Sequence, residues 1–228
     1  MWAVIGDVIP FAVGVALSPI PVIAVVLLLL APVGARGGTL FLAARVLALA
    51  ALTAVFAWAA DLIDDAAGST TPAAVLRLIV GAGLVVAAVV KWHRRPRGDA
   101  EPDLPGWMRA IDGMGPGAAF RLGLVLTVAN PKELAFAAGA GFTIGGAMLG
   151  VGGIVVAGAA FVLIACLGIA VPVIAVLLGG ERMAPVLAET GAWLRRNSAM
   201  VMAIVLLVIG AMLIGSGLSG LGSAAAAG

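Results

Sequence analysis

The sequence predicts an all-α integral membrane protein: six transmembrane helices arranged as two inverted three-helix repeats, the first helix of each repeat broken at a proline motif. Three observations predict it. Of the 228 residues 63% are hydrophobic and only 11% charged, against roughly half apolar and a quarter charged in a soluble domain, and mean hydropathy is +1.22. Apolar runs of helix length recur along the chain, where a membrane barrel would show segments of about ten residues alternating polar and apolar. Lys and Arg gather on one alternate set of loops. A hydrocarbon core about 30 Å thick takes roughly 20 residues per span, so the length admits about six or seven spans in a single transmembrane domain and no large soluble one.

The first run, about Ile9 to Leu30, follows a start without Lys or Arg, since the one charge from Met1 to Val13 is Asp7. It therefore reads as a retained helix and not as a cleaved secretory signal. The second, Leu40 to Ala60, carries Arg45 several residues inside. The third, Ala73 to Val90, has Arg77 near one end, an interfacial anchor beside Asp61, Asp64 or Asp65. These spans make a first repeat of about 1–92. A polar linker of about 92–117 follows, opening with His93, Arg94 and Arg95. The second repeat, about 118–218, holds the runs Ala118 to Ala140, Gly152 to Leu178 and Ala199 to Ile214. Before the last run, Glu181 to Asn197 reads as a short amphipathic helix at the interface. Cys166, the only cysteine, excludes an internal disulfide and a Cys-rich metal site.

Loop charge sets the orientation. With six spans one side holds Arg36, then Lys91 through Arg121, then Arg182, Arg195 and Arg196, while the other carries Asp61, Asp64 and Asp65. By the positive-inside rule the basic side is cytoplasmic and both termini lie outside the plasma (inner) membrane. Topology thus accounts for the basic residues, and no nucleic-acid partner is expected. The halves also match: Phe11, Gly14, Leu17 and Ser18 recur in step as Phe120, Gly123, Leu126 and Thr127. A duplicated three-span half enters the membrane in the opposite sense, giving the inverted repeat that secondary transporters use.

Proline inside a span removes a hydrogen bond and clashes with the preceding turn, costing about 3 kcal/mol. Both first-of-repeat spans accept it, at Ser18-Pro19-Ile20-Pro21 and at Asn130-Pro131-Lys132-Glu133. Paired interruptions point to a transporter's binding site, because unwound backbone supplies polar groups at mid-membrane depth. Lys132 and Glu133 stand deep in their run, where a charge costs roughly 2.5–3.5 kcal/mol on insertion scales. Neighbouring residues point about 100° apart, so their partners come from another span or from the broken backbone. Arg45 either snorkels to the surface or faces inward. If inward, it forms with Lys132 a positive cavity suited to a carboxylate, sulfate or phosphate. Glu133, the only carboxylate in mid-span, is either a proton carrier or the static counter-ion of Arg45 or Lys132.

Ser18-Pro19-Ile20-Pro21 followed by Ala24 and Leu27 to Leu29, then Asn130-Pro131-Lys132, then Trp193-Leu194, Asn197 and Ile209-Gly210, together resemble the lysine exporter (LysE) superfamily. Within it the chain is most similar to the actinobacterial GAP family, also called sulfolipid-addressing proteins. The resemblance implies an inner-membrane exporter without its own ATPase, linked to moving complex envelope glycolipids or their precursors. The family motif falls on Ser18, Pro19, Pro21, Asn130, Pro131 and Lys132. Where the amino-acid exporter branch carries Gly-Pro, this chain has Ser18 before Pro19.

The leading reading is a transporter, proton-coupled through Glu133, of an anionic envelope lipid, glycolipid or lipid-linked sugar. Its substrate-binding residues are Ser18, Pro19, Pro21, Arg45, Asn130, Pro131 and Lys132. Its partners would be membrane lipids, envelope biosynthesis or export proteins and further copies of the chain. Export of amino acids or other small solutes, and a non-transporting scaffold in an envelope-lipid export complex, stay open. A lipid carrier should open sideways to the bilayer, whereas a small-solute exporter should enclose its site. No Ser/His/Asp, Cys/His or metal-ligand constellation points to an enzyme, a metal site or a cofactor.

Overall fold

A computed structural model describes residues 1–67, 71–93, 108 and 110–226, with side chains outside 61–74, 76–77, 80, 181, 216, 220 and 223–226. The side chains of Asp61, Asp64, Asp65 and Arg77 and the linker residues Arg94 and Arg95 thus lie outside the described set. Every described element is helical. The helices are α1 (Trp2–Ala16), α2 (Pro19–Leu30), α3 (Gly34–Ala67), α4 (Thr71–His93), α5 (Pro116–Val128), α6 (Pro131–Gly145), α7 (Val151–Gly179) and α8 (Ala184–Ala226), with 3-10 turns at Ile111–Gly113 and Gly180–Met183.

Among the described residues three stretches are long and apolar enough to cross a bilayer: Gly34–Ala60 of α3, Val151–Gly179 of α7 and Ala184–Ser219 of α8. A fourth is the pair α1 and α2, bent by 53° at its break. The chain is therefore a membrane-embedded helical protein. Helices occupy each of the six apolar runs, with the first and fourth divided in two.

Chain contacts separate two units, Met1–Asp61 with Glu101–Asn197 and Leu62–Ala100 with Ser198–Gly228. Each unit draws on both sequence halves: the first holds α1, α2, most of α3, α5, α6 and α7, the second α4 and most of α8.

In the first unit the seams run along small residues, which let backbones approach where lipid offers no hydrophobic drive. A Cβ on Gly123 of α5 would lie 2.7 Å from the Phe41 carbonyl oxygen of α3, and one on Gly141 of α6 would lie 2.9 Å from that of Thr53. Gly145 presses on Ala57 and Ala60. Contacts thus climb α3 and the α5–α6 pair together, so they run in the same direction. Gly139 meets Phe11 while Lys132 meets Gly14, so α1 and α6 run oppositely. In the second unit Gly81 abuts Gly210 and Ile214, and Gly210 abuts Val85, which makes α4 and α8 antiparallel.

The hairpin from α2 to α3 turns at Gly34, whose φ of +52° suits a residue without a side chain. The stretch Glu181 to Asn197, expected as a separate interfacial helix, is instead a 3-10 turn leading into the first turns of continuous α8. Pro185 sits in the first turn, where its missing N–H is no loss, and neither Gly191 nor any later residue before Ser198 breaks the helix.

Candidate functional site

Both proline motifs break their helices in the same way. Leu17 (φ −85°, ψ 17°) is followed by Ser18 (φ −71°, ψ 110°) and by Pro19 as the first residue of α2. Ala129 (φ −85°, ψ −4°) is followed by Asn130 (φ −88°, ψ 109°) and by Pro131 as the first residue of α6. Proline is at home in the first helical turn, with φ preset and no N–H to lose, so Pro19, Pro21 and Pro131 shape the break without contributing a donor. The breaks correspond at a spacing of 112 residues (131 − 19). The sequence identities recur at 109 (120 − 11), three residues fewer than the spacing of the breaks. Ser18 and Asn130 hold the same N-cap position at their breaks.

At the first break Pro19 cannot donate to the Val15 carbonyl, and the Ser18 N–H turns to that oxygen at 3.1 Å. Within a helix the Ser18 N–H would have served Gly14. The Gly14 carbonyl, left without an intrahelical donor, accepts instead from Lys132 Nζ at 2.8 Å. A cation at a helix C-terminus also meets the negative end of its dipole. Lys132 Nζ lies 5.3 Å from the centre of the Phe136 ring, within cation–π range. No carboxylate among the described residues forms an ion pair with it.

At the second break the Asn130 side chain accepts from the Lys132 N–H at 3.1 Å and caps α6. Glu133, one residue on, is fully buried and turns toward α3. Arg45 Nη2 donates to Glu133 Oε1 at 2.9 Å, and Nη1 lies 2.6 Å from Oε2 in an ion pair too oblique to count as a hydrogen bond. Nη1 also donates to Thr127 Oγ1 at 3.3 Å, and Thr127 donates to the Gly123 carbonyl at 2.8 Å. Arg45 is 1% exposed, so it faces inward and does not snorkel. Its register places it there: Phe41, Ala44, Ala48, Leu49 and Thr53 share its buried stripe, whereas Val46, Leu47 and Val55 face out.

The expected positive cavity of Arg45 and Lys132 takes another form. Arg45 is neutralised by Glu133, and the remaining charge is that of half-buried Lys132. Lys132 and Glu133 find separate partners, one in the broken backbone and one on another helix. Ser18 is buried with its hydroxyl unpartnered, as is the Thr53 hydroxyl. Thr127, Thr53 and the Gly14 carbonyl escaped the sequence-based site. Ala119, Gly123 and Thr127 recur every four residues, the small-residue signature of a helix seam, and that spacing could have placed Thr127 inward.

Beside this centre α3 and α5 part to leave a groove of about 380 Å³ that opens outward. Its floor is Ala48 and Ala51, and its walls include Leu47 and Val55 of α3 with Leu124 and Val128 of α5. In the second unit a groove of about 400 Å³ runs between α4 and α8 past Trp92 and His93. His93 is the exposed last residue of α4.

A buried ion pair and a lysine at one of two similar helix breaks, among helices several of which are apolar enough to cross a bilayer, define a membrane-embedded protein with a polar centre. The profile of the family described as Sap, sulfolipid-1-addressing protein, matches residues 8–219, and the chain belongs to that family. The family's description is consistent with a lipid-related role at the cell envelope. No curated protein and no solved structure matches the chain.

Proposed function

We propose that the chain is a secondary transporter of the plasma membrane that moves an anionic envelope lipid, glycolipid or lipid-linked sugar outward. In this reading six spans form two inverted repeats, both termini lie outside, and the fold is kin to the lysine exporter superfamily. The matched break dihedrals support the repeat. The helix directions agree with it too, since spans two and four point the same way while one and four, and three and six, oppose.

The observation that carries the reading is Lys132, a cation without a carboxylate ion-pair partner among the described residues, resting on the carbonyl freed by the other break. An anionic head group offers Lys132 a stronger acceptor than a backbone carbonyl. Taking it releases Gly14 and loosens the tie between α1 and α6, so substrate binding and rearrangement of the breaks are one event. Ser18, buried with a free hydroxyl beside Pro19, supplies a second contact, and Asn130 holds the Lys132 backbone in place. Arg45 acts through Glu133 and not on substrate directly. A proton reaching Glu133 removes its charge and frees Arg45, which is how a proton gradient drives the cycle.

Reconstitution into liposomes tests this, with a fluorescent phosphatidylglycerol-type lipid and a basic amino acid as alternative cargo. Wild type should move the lipid faster under a proton gradient, Lys132→Ala should lose at least about tenfold, equivalent to about 1.4 kcal/mol, and Glu133→Gln should lose the gradient dependence. Equal rates for all three proteins would sink the site assignment. Movement of the amino acid alone would sink the lipid reading, and movement of neither would favour a scaffold.

A further inference from the structure

The groove between α3 and α5 has no place in the contacts that hold the first unit together. The two helices touch where Gly123 meets Phe41 and Ala44 and are tied one turn on by Arg45 and Thr127. Beyond that they separate over the small side chains of Ala48 and Ala51. Its volume of about 380 Å³ falls within the roughly 300–1,000 Å³ of small-molecule sites. Unlike most such sites it offers no side-chain polar group: every residue on its surface is Ala, Val or Leu. Leu47, Val55 and Val128 on its rim are 59%, 57% and 49% exposed, so the groove opens away from the helical core. Its wholly apolar lining offers water no hydrogen-bond partner and suits a hydrocarbon chain.

The groove adjoins the charged centre along both of its helices. Ala48 lies three residues from Arg45 on α3, and Val128 follows Thr127, whose hydroxyl accepts from Arg45. At the Val128 end the chain passes directly into the break and on to Lys132. A molecule with its apolar part over Ala48 and Ala51 thus lies beside the second break, with Lys132 four residues past Val128.

We infer that this groove seats one acyl chain of the lipid whose anionic head group Lys132 receives, an inference that rests on the reading of Lys132 above. The structure then divides recognition between a dry trough for the tail on the outer face of α3 and α5 and a cation for the head at the break. The trough reads only chain length and width, and the break reads only charge.

Photolabelling of the full chain in lipid nanodiscs separates the two. The probes are phosphatidylglycerol and phosphatidylcholine, each carrying a diazirine on an acyl chain, and mass spectrometry locates the adducts. The comparison surface is the exposed pair Leu163 and Leu167 on α7, 70% and 51% accessible. The anionic probe should label 47–55 and 124–128 about tenfold more than 163–167, a preference of about 1.4 kcal/mol. Ala51→Phe, at an exposed position of the floor, should abolish that excess and leave α7 labelling unchanged, and Val128→Trp should do the same from the opposite wall. Equal labelling of groove and α7 would overturn the inference, as would an excess that survives both substitutions. Protein–protein adducts at α3 and α5 in place of lipid adducts would also overturn it, by making the groove a contact between copies. In Lys132→Ala, a groove excess that persists but no longer distinguishes the two head groups upholds the tail site together with the assignment of Lys132. If phosphatidylglycerol and phosphatidylcholine label the wild-type groove alike, the tail site stands and the head-group reading fails.

Discussion

The break at Ser18–Pro19 and the break at Asn130–Pro131 turn the chain through nearly the same dihedral angles, but they leave different chemistry behind. The first is uncharged. Its contribution is a carbonyl, Gly14, stripped of its helical donor, and a hydroxyl, Ser18, with no partner. The second is capped by Asn130 and carries Lys132 and Glu133, which reach out to α1 and α3. A symmetric backbone has thus been given asymmetric side chains, one break accepting and the other donating. The two are held together by that difference. Two charged breaks would repel across the same space, and two uncharged ones would leave carbonyls unsatisfied in a medium without water.

The largest effect should come from the charge that anchors the second break. Arg45→Leu strands Glu133 as a buried carboxylate without a partner, at a cost of about 3–5 kcal/mol. Purified protein should show a large fall in Tm or fail to give a folded species. Arg45→Leu combined with Glu133→Leu removes both charges and should recover most of the lost stability, since Thr127 keeps its bond to Gly123. Thermal unfolding of the single and double variants in detergent measures this. A double variant as unstable as the single one would show that the second break needs the ion pair itself.

Next in size is the tie between the breaks. Lys132→Met preserves the length of the side chain and its packing against Phe136 but leaves the Gly14 carbonyl without a donor, which costs about 1–3 kcal/mol. Amide hydrogen exchange in α1 near Gly14 and Val15 should rise, with exchange in α7 little changed. If α1 keeps its protection, the two breaks are stable independently and the interlock is a consequence of packing.

Much of this was legible in the sequence, and the rest was hidden for definable reasons. Both breaks were readable because proline has one physical meaning inside an apolar run. Inward-facing Arg45 was harder. On a helix apolar all round, periodicity does not separate the buried face from the lipid face, and small against large does so only in part, since Phe41 and Leu49 are buried and Ala51 is exposed. Ala44, Ala48 and Ala57 line the inner stripe, with Val46, Leu47, Val55 and Trp58 outside. The same contrast marks Ala137, Gly141 and Gly145 on α6. The link from Lys132 to Gly14 spans 118 residues and ends on a carbonyl, an acceptor that every residue carries and no sequence pattern singles out.

The smallest effects compare the residues that stand at the same position of each break. Asn130 accepts a hydrogen bond from the Lys132 N–H, and Asn130→Ala should cost about 1 kcal/mol, the usual loss for an N-cap. Ser18 occupies the matching N-cap but makes no cap bond, and its buried hydroxyl has no partner. Ser18→Ala removes an unsatisfied polar atom, so stability should change by no more than about 0.5 kcal/mol, and in the direction of a rise. Paired Tm measurements on the two variants give the contrast directly. The transport assay adds what stability leaves open. A hydroxyl kept in the membrane core without structural benefit is explained if it meets substrate, and Ser18→Ala should then slow lipid movement at unchanged or raised Tm. Equal losses of stability at the two positions would mean that Ser18 caps α2 after all, and the division into an accepting and a donating break would have to be redrawn with both N-caps serving the fold.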